Sequence, residues 1–108
     1  MTYDIVDSQL IVKLSGELDH HTSESLRKKI DQCYNSRNLS SIIFDLRDLK
    51  FMDSSGIGLI MGRYKICKEK SGNVSIVSTS PYINRILKMS GIYKIIRVFS
   101  TIDDAIKG

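Results

Sequence analysis

The chain has no tryptophan, a single proline at position 81 and only two cysteines. Each shortage excludes something. With one proline and no biased tract there is no stiff proline-rich linker, no low-complexity segment and no internal repeat. Cys33 and Cys67 stand far apart, in no CxxC or Cys/His cluster. A disulfide framework or a zinc site is therefore not indicated, and both thiols read as small core residues in a reducing compartment. Long apolar runs are also missing. The longest, 57–61, reaches five residues with Gly58 counted, against the roughly 20 needed to cross a bilayer. The first residues, MTYD, carry no basic segment followed by an apolar one, so no secretory signal is read and a cytoplasmic location is expected. Aromatic residues make up only 7% of the chain, too few to build a base-stacking platform along its basic residues.

What is present is ordinary for a folded chain. The 108 residues are 42% apolar and 26% charged, too balanced for disorder and enough for one core, so residues 1–108 read as one domain. The net charge of +4 is unevenly spread. Residues 1–54 carry 7 Lys/Arg against 9 Asp/Glu, and residues 55–108 carry 9 against 3. The basic residues of the second half are dispersed rather than clustered, which reads as a solvated surface and not a nucleic-acid footprint.

Hydrophobic periodicity orders the elements. Residues 3–6 and 9–15 are short and β-rich, with Asp7-Ser8 as a turn between them, and Leu10, Val12 and Leu14 alternate with other positions. Residues 16–21 read as a loop and Thr22 as the cap of a helix that buries Leu26, Ile30 and Cys33 and ends near 35–38. Residues 40–46 read as a central strand buried on both faces, with 47–50 returning to the surface. A second helix follows Asp53-Ser54-Ser55-Gly56 with Ile57, Ile60, Met61, Tyr64 and Cys67 on one face and Gly72 as its C′ residue. Residues 74–78 form a strand. Ser80 caps a third helix with Pro81 at its first position, and Ile83, Ile86 and Leu87 make its stripe. Residues 95–99 give a last strand. A terminal helix over 101–107 carries Asp103 and Asp104 in its first turn, where the helix dipole favours negative charge. The order ββαβαβαβα implies an α/β fold, a mixed sheet of about five strands with about four helices, its later pairs mainly parallel.

The chemistry concentrates in Asp53-Ser54-Ser55-Gly56-Ile57-Gly58. It sits where a loop becomes a helix, and free N–H groups and the positive dipole end gather there. A phosphoserine would find donors at such a place, and Gly56 and Gly58 leave room for a partner's backbone. The bland reading is a serine that only caps the helix, with Gly58 and Gly62 at i,i+4 letting it pack closely. A serine hydrolase is disfavoured, because Ser54 is not in G-x-S-x-G and only His20 and His21 are available as bases. A dinucleotide site is disfavoured too. The run 56–62 is G-x-G-x-x-x-G, its glycines fall inside the helix, and strand 74–78 lacks the acidic residue that holds a ribose. No P-loop occurs. Asp19, His20 and His21 lack third and fourth partners for a metal, since adjacent histidines in a loop or strand face apart. They read as a surface.

Four runs together resemble one family. They are LSGELDHHT (14–22), FMDSSGIG (51–58), GRYK (62–65) and MSGIYKIIR (89–97), and they resemble the STAS family of anti-sigma factor antagonists, most closely the sporulation branch that controls sigma factor F. The resemblance covers nearly the whole chain and shows no departure at the serine run. It implies the STAS fold and a binding protein rather than an enzyme, with no cofactor and no metal. It implies an anti-sigma factor partner that is also a serine kinase using ATP. The unphosphorylated form would bind that kinase and free the sigma factor. Phosphorylation of the first serine, Ser54, would end binding, and a metal-dependent PP2C-type serine phosphatase would restore it. Asp19, His20, His21, Asp53, Ser54, Ser55, Gly56, Ile57 and Gly58 would form the contact surface, with no nucleic acid or membrane involved. An antagonist of the general stress-response sigma pathway is the alternative, and a small serine-dependent enzyme a more remote one.

Overall fold

Two long parallel strands, β2 (Gln9–Leu18) and β3 (Ser41–Met52), form the centre of a five-stranded sheet in a computed structural model that describes all residues 1–108. β1 (Thr2–Val6) pairs antiparallel with β2 through the turn at Asp7-Ser8, where Asp7 takes a left-handed φ of 55°. β4 (Val74–Val77) and β5 (Arg97–Phe99) extend the parallel part, so the spatial order is β1-β2-β3-β4-β5. The connecting helices are α1 (His20–Asn35), α2 (Ser54–Glu69) and α3 (Pro81–Ser90). Successive crossovers of one hand, stepping one way across a sheet, place their helices on one face. The buried side chains agree. Ile30 and Tyr34 of α1, Leu59, Ile60 and Cys67 of α2, and Ile83 and Leu87 of α3 share one cluster with Leu10, Val12, Leu14, Ile42, Phe44 and Ile76. The other face has a smaller cluster, Ile11, Ile43 and Val77, covered by Ala105 of the short helix α4 (Ile102–Lys107).

The sequence pattern and the structure part company between Leu46 and Met52. Residues 47–50 do not leave the sheet. β3 continues to Met52 with Leu49 and Met52 buried, while Arg47, Asp48, Lys50 and Phe51 are exposed. The register explains the broken alternation. Lys13 faces Asp45, but Ser15 faces Asp48, and Gly16 faces Leu49 whereas Glu17 faces Phe51. Two irregularities each set two residues of β3 against one of β2, so the inward positions 46, 49 and 52 recur every third residue instead of every second. The apolar run that marks a strand buried on both faces ends at Leu46, and the exposed pair Arg47-Asp48 hides the continuation.

Other boundaries shift for local reasons. β2 runs to Leu18, so residues 16–18 are strand and not loop. α1 begins at His20, and its cap is Asp19 rather than Thr22. Thr22 is the third helical residue and closes a reciprocal capping box. α2 ends in a Schellman pair, with Gly72 N–H donating to Cys67 O (2.8 Å) and Ser71 N–H to Lys68 O (3.1 Å). The left-handed residue is therefore Ser71 (φ 60°) and not Gly72. The last strand starts only at Arg97, because Ile92–Lys94 make a 3-10 turn and leave Ile95 half exposed. Ser80 Oγ accepts from Ile83 N–H (3.3 Å), as the Ser80-Pro81 signal predicts. Cys67 is fully buried, Cys33 partly, and both are free thiols; burial pushes the Cys67 thiol up.

One buried charge lies outside the main core. Asp45 is 3% exposed on the face of β3 toward α4. Its carboxylate accepts from Arg47 Nε and Nη2, both at 2.9 Å, and from Arg47 N–H at 3.2 Å. Burial raises the Asp45 pKa, but the Arg47 bonds outweigh it and the net shift is downward. A depressed folded pKa gives stability that is present above the unfolded value, near 4, and is lost as pH falls through the folded value. Asp45→Asn is expected to cost about 1–2 kcal/mol at neutral pH and to flatten the loss of stability below about pH 4. Thermal melts of both proteins across that range check it. Parallel curves would remove Asp45 as the titrating group.

Candidate functional site

β2 and β3 end together: Leu18 pairs with Met52, and Asp53 N–H donates to Leu18 O at 3.3 Å. Each strand then delivers one aspartate, and each aspartate starts a helix. Asp19 Oδ1 accepts from His21 N–H (2.9 Å) and Thr22 N–H (3.0 Å), while Thr22 Oγ1 accepts from Asp19 N–H (3.0 Å). The backbone bond from Thr22 leads the causes that hold the Asp19 carboxyl below its usual range. Asp53 Oδ1 accepts from Ser55 N–H (2.8 Å), and its carbonyl accepts from Gly56 N–H (3.0 Å). The run around Asp19 and the run around Ser54 are thus neighbours at one pole of the sheet. That pole lies beyond the carboxyl ends of the parallel strands, the usual place for sites in such sheets.

Asp53 is the cap of α2, and Ser54 is its first helical residue and exposed. The serine is not the cap, so the simplest structural reading of Ser54 does not hold. The expected cradle of free donors does not hold either, because Asp53 already takes the N–H groups of Ser55 and Gly56. The Ser54 side chain is open to solvent at the start of the helix. Ser55 is half-buried on the side toward α1. Gly56 lies under the strand ends, where a Cβ would meet Met52 Cγ at 2.5 Å and Leu18 Cδ2 at 3.0 Å. Ile57 is partly buried against the core, and Phe51 is 40% exposed just before the run. His20 and His21 are both exposed on the first turn of α1, their rings edge to face with centroids 6.0 Å apart, rather than facing apart on a strand or loop. No group of three or more His, Cys, Asp or Glu side chains gathers to hold a metal.

Gly58 and Gly62 do not serve close packing within the chain. A Cβ at either position would meet nothing within 4 Å, yet glycine inside a helix costs roughly 0.8–1.0 kcal/mol relative to alanine. Beside Gly58 a cleft of about 160 Å³ opens between α1 and α2, lined by Ser23, Glu24 and Arg27 on one side and Ser55 and Gly58 on the other, with Leu59 and Arg63. In the sequence Arg63 reads only as one of the dispersed basic residues and as part of the run 62–65, not as a site residue. Its signal is a charge on the face of α2 that buries Leu59, Ile60 and Cys67, and hydropathy patterns treat such a charge as noise. By contrast, the broad hollow along the outer face of α1 has no hydrophobic lining and offers a ligand little desolvation.

The fold has counterparts among known proteins. The STAS domain family model matches residues 1–105. The anti-sigma F factor antagonist of Paenibacillus polymyxa is 46% identical over 90 residues, which cover 83% of this chain and 77% of that protein. The structure of the anti-sigma factor antagonist SpoIIAA in its unphosphorylated form superposes with a TM-score of 0.85 at 31% identity, over 97% of this chain and 91% of that one. The phosphorylated form of the Bacillus cell fate determinant SpoIIAA gives a TM-score of 0.76 at 31% identity, over 98% and 96%. The sheet order, the helix placement and these similarities together make the chain a member of the STAS domain family, in the branch of the anti-sigma F factor antagonists.

Proposed function

We propose that this protein is an anti-sigma factor antagonist switched by phosphorylation of Ser54. In its unphosphorylated form it binds an anti-sigma factor that is also a serine kinase, and so releases the sporulation sigma factor F. Phosphate on Ser54 ends the binding, and a PP2C-type serine phosphatase restores it. The contact surface comprises Asp19, His20, His21, Asp53, Ser54, Ser55, Gly56, Ile57 and Gly58. The observation that carries this reading is the position of Ser54. Its hydroxyl-bearing side chain is exposed at the start of α2, while the fold relies on Asp53 for the cap. A phosphoryl group carrying nearly two negative charges can therefore be added without removing a structural bond. At a tight interface the same charge is costly, through desolvation and repulsion. The chain acts as a binding protein and not as a catalyst. Ser54 has no base arranged behind it, and among the anti-sigma F relatives the 46% identity favours the sporulation pathway over the stress-response one.

The test is intact mass and phosphopeptide mapping after incubation with the purified sigma-F anti-sigma kinase and ATP. Wild type should gain one phosphate on Ser54, and Ser54→Ala should gain none. Phosphate on Ser55, or an unmodified wild type, would refute the assignment. Modification only by the stress-pathway kinase would move the protein to that branch.

A further inference from the structure

Two features of the α1–α2 side remain unexplained by the fold itself. One is the pair of helix-interior glycines over open space. The other is Arg63, whose side chain is 8% exposed and whose Nε and Nη1 are buried without a hydrogen-bond acceptor. Its nearest counter-charge, Asp31, has Oδ1 3.1 Å from Nε but not in line with its N–H, and Asp31 is shared with Arg27 Nη1 at 3.7 Å. Arg27 in turn donates to Glu24 at 2.6 Å. The two carboxylates are thus divided between two guanidinium groups and Lys28, whose Nζ lies 4.0 Å from Glu24. The local balance is one positive charge in excess. A buried guanidinium with idle donors is a standing cost unless an acceptor arrives.

The cleft that Arg63 lines is open beside Gly58, which is where a side chain would otherwise stand. Ser55, at the other end of the cleft, is adjacent to Ser54. We infer that this cleft receives one side chain of the protein partner, ending in a carboxylate or amide oxygen, which passes over Gly58 and bonds to Arg63. The inference rests on the proposed function for the identity of the partner. It adds a specific anchor on the flank of α2, separate from the exposed Ser54 hydroxyl. The glycine at position 58 runs against the helix preference, and any Cβ there narrows the entrance. Arg63 acts by charge and hydrogen bonding, and it is a binding residue only.

The experiment measures melting temperature and affinity for the unphosphorylated complex with the purified sigma-F anti-sigma factor. Gly58→Ala should melt about 3–5 °C higher, as removal of a helix glycine predicts, yet bind at least tenfold more weakly. Gly58→Gln should be weaker still. Arg63→Lys should fold and lose most of the same affinity, because one ammonium does not reproduce the guanidinium fork. An alanine scan of the partner's Asp, Glu, Asn and Gln residues should give one position whose effect is not additive with Arg63→Lys. If Gly58→Ala is stabilised and binds as tightly as wild type, the cleft is empty in the complex and the inference is overturned. If no partner position couples to Arg63, it is likewise overturned. If wild type itself does not bind, the functional reading fails first, and this inference falls with it.

Discussion

Gly72→Ala is expected to destabilise the protein by about 3 kcal/mol, because a clash with backbone cannot be relieved by moving a side chain. An alanine Cβ at position 72 would run into the carbonyl oxygen and carbon of Ser40, and would sit 3.1 Å from Ser41 Oγ. The two segments cannot separate cheaply. Ile42 N–H donates to Asn73 O at 3.0 Å, and Asn73 N–H donates to Ser41 Oγ at 3.0 Å. These bonds fix the entry of β4 beside the start of β3. The expected fall in melting temperature is about 12–20 °C. Gly62→Ala is the control: it lies in α2 with open space around it, and should hold or raise the melting temperature. Chemical denaturation of both variants checks the contrast. A loss below about 1 kcal/mol at position 72 would show that the two backbones yield easily.

The second large effect falls on binding and leaves folding alone. Phosphoserine or aspartate at position 54 is expected to weaken the complex with the anti-sigma factor by about 100-fold, or about 2.7 kcal/mol, while the melting temperature moves by less than about 2 °C. Ser54→Ala should bind within about threefold of wild type. The separation follows from the cap. The bonds that start α2 belong to Asp53, which accepts from Ser55 N–H at 2.8 Å and Gly56 N–H at 3.0 Å, and Ser54 gives up none of them on modification. Calorimetric binding and melting of the same three samples decide it. A phosphorylated form melting 8 °C lower would mean that the switch works by loosening the helix, and the surface account would be wrong.

The element order was legible in the sequence because most elements bury a regular face. Alternation in β2 and the stripe of α3 largely follow their periods, while α1 buries Ile30 and Tyr34 and only partly covers the expected Leu26 and Cys33. α2 was readable only in part. It lies between α1 and α3, so Gly56, Leu59 and Arg63 are buried along with Ile60 and Cys67, and the expected stripe through Ile57, Met61 and Tyr64 is only partly covered. The Asp19 cap was missed because one residue separates strand from helix, leaving no loop to mark the change, and Thr22 is itself a good cap type. Ser54 stood out as a residue. Its exposure and its release from capping did not, since these depend on which of two adjacent polar residues the backbone turns inward. Arg63 was legible as part of the run 62–65, but its burial was not, because hydropathy periodicity assigns a charge to the solvent face.

The doubled residues of β3 have a consequence for insertions and deletions. Arg47 with Asp48, and Lys50 with Phe51, each stand outward where one residue of β2 stands opposite. Shortening either doublet by one residue leaves Leu46, Leu49 and Met52 facing the helices and turns an irregular stretch into a plain ladder. Removing one residue between Ile42 and Leu46 instead sends the side chains on one side of the cut to the wrong face of the sheet. The two doublets are therefore the places in the central strand where the chain length can change by one without scrambling the core. A gap in a related sequence is expected there before anywhere else in the strand.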